Sequence, residues 1–185
     1  MARVPSVMVA LGTRAPHFNL PDTVSGTNYS LHDIKGKVAT MIMFICNHCP
    51  FVKHVNGELV KLANDYKNRG IGFAAISAND VMNYPDDAPE LMKQVGLQLN
   101  YPFPYLYDAT QQVARAYNAA CTPDFFIYDK ELQIVYRGQL DDSRPGNDIP
   151  VTGKDIRLAL DCLINGQPVP KEQKPGIGCN IKWKQ

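Results

Sequence analysis

A nearly continuous apolar run, Val38-Ala39-Thr40-Met41-Ile42-Met43-Phe44-Ile45, ends on Cys46-Asn47-His48-Cys49-Pro50, and apolar residues then recur at helical spacing: Phe51, Val55, Leu59, Leu62, Tyr66. The run does not alternate, so it reads as a strand covered on both faces and central in its sheet. Asn68-Arg69-Gly70 carries a helix stop signal. The two cysteines therefore fall at a strand-to-helix junction, where first-turn N–H groups lack intrahelical partners and the helix dipole is positive. On this reading Cys46 lies near the helix N-cap, faces water and has a lowered pKa, while Cys49 lies inside the first turn within bonding reach. Pro50 fits because first-turn N–H groups have no intrahelical acceptor to lose. Cys46 is the expected attacking thiol and Cys49 the resolving one, the layout of a thiol–disulfide exchange site.

The rest of the chain supplies a frame for that junction. A turn-rich lead-in spans 12–36, with short edge strands over 18–22 and 27–31. Ile71 to Ser77 reads as a second buried strand. Pro85-Asp86-Asp87 opens a helix through Leu97, with both aspartates at its positive end. Tyr105-Leu106-Tyr107 is a short strand and Thr110 to Ala119 a helix. Phe125 to Tyr128 and Leu132 to Tyr136 flank Asp129-Lys130-Glu131 as a hairpin, and Asp155 to Leu163 is a last helix. Glycines and prolines over 166–178 mark an extended stretch, so 166–185 is a C-terminal tail. The order β-α-β-α-β-α-β-β-α gives an α/β chain with a mixed central sheet flanked by helices. At 185 residues it is expected to be a single domain, 1–185.

Charge and cysteine usage exclude several functions. A net charge of +1 argues against nucleic acid or an anionic membrane as the main partner. No apolar stretch approaches the roughly 20 residues of a membrane span, and the start, Met1-Ala2-Arg3-Val4-Pro5, lacks the pattern of a secretory signal. The five cysteines are odd in number and unevenly spread. A chain of this size needs no disulfide framework, so a reducing compartment, the cytoplasm, is expected.

Neighbouring residues bear on the dithiol. As imidazolium, His48 would stabilise the Cys46 thiolate. Cys46, Cys49 and a histidine, His48 or His54, also offer ligands for copper or zinc, although a closed zinc site normally draws on a second cluster and no second CxxC exists. Lys53 and His54 follow one turn on and read mainly as a solvated helix face. Thr122-Pro123 precedes a strand expected to run near the dithiol, and a cis bond there would offer the Thr122 backbone to an extended peptide. Cys121 falls within reach of the same region, as a third redox thiol or a small buried residue. Cys162 follows the apolar face of the last helix. Cys179 lies in Gly176-Ile177-Gly178-Cys179-Asn180-Ile181-Lys182-Trp183. That segment reads as a tail folding back on the body, bringing Cys179 to Cys121 or the active site, or leaving it idle. The loop Asp141 to Asp148 is either solvated or a rim of the cleft.

Apolar strand, CxxC, long helix, βα unit, Thr-Pro, hairpin and last helix together resemble the thioredoxin fold. The inserted βα element over 105–119 and the lead-in Ala15-Pro16-His17-Phe18-Asn19-Leu20 resemble its redoxin branch, the AhpC/TSA superfamily of peroxiredoxins and thiol–disulfide proteins. Within that branch, Cys46-Asn47-His48-Cys49-Pro50 and Cys121-Thr122-Pro123-Asp124 resemble a thioredoxin-like subgroup. The resemblance, over about 12–165, implies a cis Pro123 facing the CxxC, with Thr122 and Pro123 aligning a substrate backbone. It implies a disulfide-containing protein or small thiol as substrate, a dithiol electron donor and no organic cofactor. Peroxiredoxins carry a threonine three residues before the peroxidatic cysteine and a proline earlier; here those places hold Met43 and Ala39. A thiol peroxidase is thus the alternative with its machinery missing. The acid that thioredoxins bury before the CxxC is missing too, with Thr40 near its place, leaving His48, Lys53 or a water to serve Cys49.

Overall fold

The computed structural model describes residues 3–185; Met1 and Ala2, with which the reading of the N-terminal start begins, lie outside them. The junction strand, β4 (Ala39–Phe44), is entirely buried and central in a five-stranded sheet. It pairs in parallel with β5 (Ile71–Ser77), and β5 in parallel with β6 (Tyr105–Tyr107). On its other side it pairs antiparallel with β8 (Asp124–Asp129), which forms the hairpin with β9 (Ile134–Gly138). The order is β6-β5-β4-β8-β9.

Both faces of this sheet are covered, which explains why β4 does not alternate in hydropathy. Met41 and Met43 face a core with Val52, Val55, Leu59 and Leu62 of α2 (Pro50–Tyr66) and Ile156 and Leu160 of α5 (Lys154–Ile164). Ile42 and Phe44 face the opposite core, with Leu31 and Ile34 of α1 (Leu31–Ile34), Ala114 of α4 (Gln112–Ala116) and Tyr117. Leu31 and Ile34 reach that face because the lead-in hairpin β2 (Asn19–Pro21) and β3 (Asn28–Ser30) delivers α1 through a capping box, Ser30 with Asp33. Among the described residues no helix is long and apolar enough to cross a membrane.

Three elements differ from their sequence expectations. Pro85-Asp86-Asp87 forms a separate 3₁₀ turn, and α3 starts at Pro89 and runs to Gln98. The helix expected over 110–119 is shorter, because the left-handed Gln111 and Asn118 bracket it (φ 63° and 51°). The tail forms a strand, β10 (Ile177–Asn180), between β1 (Arg3–Pro5) and the two-residue β7 (Cys121–Thr122). The register Arg3–Cys179 and Cys179–Thr122 makes β10 the centre of a small antiparallel sheet.

Candidate active site

Register brings the two key segments to one edge. Phe44 of β4 pairs with Asp124 of β8, so Ile45-Cys46 and Thr122-Pro123 leave the sheet side by side. The Thr122–Pro123 bond is cis, as the resemblance implied. Cys46 Sγ lies 3.3 Å from Thr122 Oγ1, and Cys49 Sγ lies 3.1 Å from the Thr122 carbonyl oxygen, to which a neutral thiol donates.

The helix begins one turn later than expected. Cys49, in extended conformation, is the N-cap of α2, and Pro50 is its first residue. The positive helix end therefore acts on Cys49, and Cys46 sits in the loop before it. Neither sulfur is open to water: Cys46 is 2% exposed and Cys49 fully buried. The two titrate as a pair. The Cys49 thiol is lowered to about 5 by its hydrogen bond with Cys46, against burial, with help from Cys179, the Val52 N–H and Thr122. Cys46 moves up, through the same hydrogen bond, burial and the charge of Asp87. The helix end and these hydrogen bonds favour ionisation at Cys49, whereas the sequence pattern set the helix end at Cys46.

His48 is held by a carboxylate rather than free in the loop. Its Nδ1 is 2.6 Å from the carboxylate of Asp87, and its ring stacks on Tyr84. That hydrogen bond raises the pKa of His48. Burial alone would raise Asp87, but hydrogen bonds from His48, Asn79 and the Asn47 N–H hold it below the usual carboxylate range. Asp87 also accepts the backbone N–H of His48, so it anchors the loop between the cysteines. Sequence reasoning missed it. Asp86 and Asp87 look alike there as helix-start acids, and only packing shows that Asp87 turns inward and is fully buried.

The remaining candidates separate clearly. His54 Nε2 is 2.7 Å from Ser143 Oγ and Lys53 is exposed, so neither joins the dithiol. Among the described residues the group able to hold a metal is instead Cys46, His48 and Asp87, whose ligand atoms lie within 4.8 Å of one another. Cys121 Sγ is near Ser6 Oγ and the Pro123 carbonyl, and burial and the Asp124 charge push its thiol up. Cys162 is half-buried on α5. Cys179 Sγ lies 2.9 Å from Cys49 Sγ. The Thr122 edge expected to receive a substrate peptide is occupied by the chain's own β10. In the 141–148 loop, the buried Asp141 accepts the N–H groups of Ser143, Thr152 and Gly153, while Arg144 and Pro145 rim a groove with Arg3 and Phe51.

A dithiol raised on the end of the central strand and faced by the Thr122–Pro123 turn makes this a thioredoxin-like protein. More narrowly, the chain belongs to the AhpC/TSA family, whose model matches residues 11–137. Over 127 residues it is 27% identical to the thiol-disulfide oxidoreductase ResA of Geobacillus kaustophilus, covering 68% of this chain and 67% of that one. An uncharacterized conserved protein from the same organism has a crystal structure that is similar throughout. It is 62% identical, with a TM-score of 0.98, over 100% of this chain and 97% of that one. The thioredoxin domain of a thiol-disulfide oxidoreductase from Bacteroides vulgatus shares the fold, at 23% identity and a TM-score of 0.59 over 70% of this chain and 89% of that one.

Proposed function

We propose that the chain is a thiol–disulfide oxidoreductase working through Cys46 and Cys49. The observation that carries this reading is the placing of two thiols at the mouth of α2 against one turn, Cys46 Sγ 3.3 Å from Thr122 Oγ1 and Cys49 Sγ 3.1 Å from the Thr122 carbonyl oxygen. Cys46, the sulfur with residual exposure, attacks one sulfur of a substrate disulfide while its proton passes to the Cys49 thiolate. A Cys46–substrate S–S bond forms as the substrate disulfide breaks, and the departing thiolate takes a proton from solvent. Cys49 then gives its proton to solvent and attacks Cys46 Sγ; the Cys46–Cys49 bond forms as the Cys46–substrate bond breaks, and the substrate sulfur leaves as a thiolate. Two electrons pass to the substrate, and a small thiol or dithiol protein resets the pair. The odd cysteine count supports a cytoplasmic setting.

The test is reduction of a disulfide-bonded protein by dithiothreitol with catalytic amounts of the full chain. Acceleration by the wild type, lost in both Cys46→Ser and Cys49→Ser, is the expected result; acceleration retained in Cys46→Ser would overturn the assignment. Peroxide consumed rapidly and dependent on Cys46 would promote the peroxidase alternative.

A second reading rests on the Cys46, His48 and Asp87 cluster as a zinc or copper site. Exchange is favoured because the Asp87 carboxylate is already engaged by four hydrogen bonds, from the N–H groups of Asn47 and His48 and the side chains of His48 and Asn79. Stoichiometric, tightly held metal in the reduced protein would reverse that preference.

A further inference from the structure

The tail strand places a third sulfur inside the site just described. β10 is paired along both edges, through Cys179–Thr122 and Asn180–Cys121 on one side and Arg3–Cys179 and Val4–Gly178 on the other. A Cβ at position 178 would run into the Thr122 carbonyl, so Gly178 permits this close approach. Beyond the strand, Lys182 N–H donates to Asn79 Oδ1, its carbonyl accepts from Asp80 N–H and Gln111 Nε2, and Trp183 packs under the Arg115 guanidinium. The segment is thus built into the fold on both sides of Cys179. Cys179 is 3% exposed, and its Sγ sits 2.9 Å from that of Cys49, a short displacement from the ~2.05 Å of an S–S bond.

We propose that Cys179 is a third redox thiol, which attacks Cys49 of the Cys46–Cys49 disulfide and converts it to Cys49–Cys179. The inference rests on the exchange reading and deepens it. The Cys179–Cys49 bond forms as the Cys46–Cys49 bond breaks, Cys46 leaves as a thiolate, and the proton given up by Cys179 returns to Cys46. The oxidation level does not change, so no external oxidant or reductant is consumed in this step. In the oxidised protein Cys46 is then a free thiol again, and the disulfide lies in the buried interior.

In the reduced protein Cys179 keeps its proton. Burial, its hydrogen bond to Cys49 and the Cys49 charge push it up to about 12, against the pull of Lys182. Once Cys49 is bound in a disulfide, its charge is gone and the Lys182 cation remains. Burial still holds the proton on Cys179, but the part of the hold that comes from Cys49 is removed by the event that makes its attack productive. Cys121 has no such role: its polar neighbours are Ser6, Pro123 and Asp124.

The test oxidises the full chain in glutathione buffers of graded poise, quenches with acid, labels free thiols with a maleimide under denaturing conditions and maps peptides. Cys46→Ser is expected to form an intramolecular Cys49–Cys179 disulfide. Oxidised wild type is expected to label Cys46 in a measurable fraction of molecules, and oxidised Cys179→Ser to lose that label. If wild type forms Cys46–Cys49 but Cys46→Ser leaves Cys49 and Cys179 both free, the relay is wrong and the exchange reading stands. If wild type forms only Cys49–Cys179, the relay stands and Cys46–Cys49 is not the stable oxidised pair. If wild type forms no intramolecular disulfide, both fail. Labelling of wild-type Cys46 also guards against a Cys46→Ser variant that does not fold, since it needs no substitution at the site.

Discussion

The two residues of β7 look into opposite chemistry. Cys121 packs toward Ser6, Asp124 and Arg137, where the buried carboxylate and guanidinium pair at 2.9 Å and the guanidinium lies over the Phe126 ring at 3.8 Å. Thr122 looks toward Cys46, with Cys49 and Cys179 beyond. All four thiols near this turn are buried, yet their ionisation runs in different directions. Cys121 sits beside a carboxylate and is pushed up. Cys49 sits at a helix end among thiol donors and is pulled down. Burial alone does not make a cysteine inert; the partners that meet the sulfur decide, because a desolvated thiolate is tolerated only where N–H, O–H or S–H groups point at it.

The largest effect should come from breaking the ionic side. Asp124 accepts from Arg137, Ser6 Oγ and the Ala120 N–H, and both charged side chains are fully buried. Asp124→Ala leaves the guanidinium uncompensated and is expected to lower stability by about 3–5 kcal/mol, read from urea unfolding. The same change removes the negative charge beside Cys121 and leaves a cation there. In any folded fraction the Cys121 thiol should ionise more readily than in wild type. A loss under ~1 kcal/mol would mean that the pair is not buried as described.

The contrast also marks what was legible in the chain itself. The unbroken hydropathy of β4, the cysteine pair at its end and the Thr-Pro before a hairpin carry local signals, and all three meet in the structure. The helix start was misplaced by one turn, although Pro50 at the first position already pointed to Cys49 as the N-cap. That shift matters because it sets Cys49, not Cys46, at the positive end of α2. β10 was not readable as a strand: Ile177-Gly178-Cys179-Asn180 is short, carries a glycine and follows a proline- and glycine-rich stretch, and its partners are Arg3–Pro5 at the far end of the chain and a two-residue strand. Asp87 was invisible for a related reason, since its partners His48 and Asn47 lie about forty residues away.

An intermediate effect is expected at the acid on the dithiol side. Asp87→Asn weakens the bond to His48 and removes the charge that two backbone N–H groups meet, at a cost of about 1–3 kcal/mol. Its pH dependence follows from the two shifts. His48 is raised by Asp87, so its contribution is complete below the unfolded value of ~6.5 and fades as pH rises through the higher folded value. Asp87 is lowered, so its contribution is present above ~3.9 and lost as pH falls through the lower folded value. The wild-type advantage over Asp87→Asn should therefore be larger at pH 5–6 than at pH 9. A gap that widens at alkaline pH would contradict the ion pair.

The smallest perturbation gives the sharpest comparison. Thiolate ultraviolet absorbance of the reduced protein should report one ionised thiol at neutral pH, lost on acidification with a midpoint of about 5. Cys49→Ser should abolish that transition. Cys121→Ala should leave it in place and cost about 1 kcal/mol of stability, the scale of deleting one small buried group. The two results belong together: a sulfur removed from the inert side of β7 leaves the titration of the other side in place, because the groups that lower Cys49 are Cys46, Cys179, Thr122 and the Val52 N–H, and Cys121 is not among them. A midpoint moved by more than about one unit in Cys121→Ala would show that the two sides of β7 are one electrostatic site.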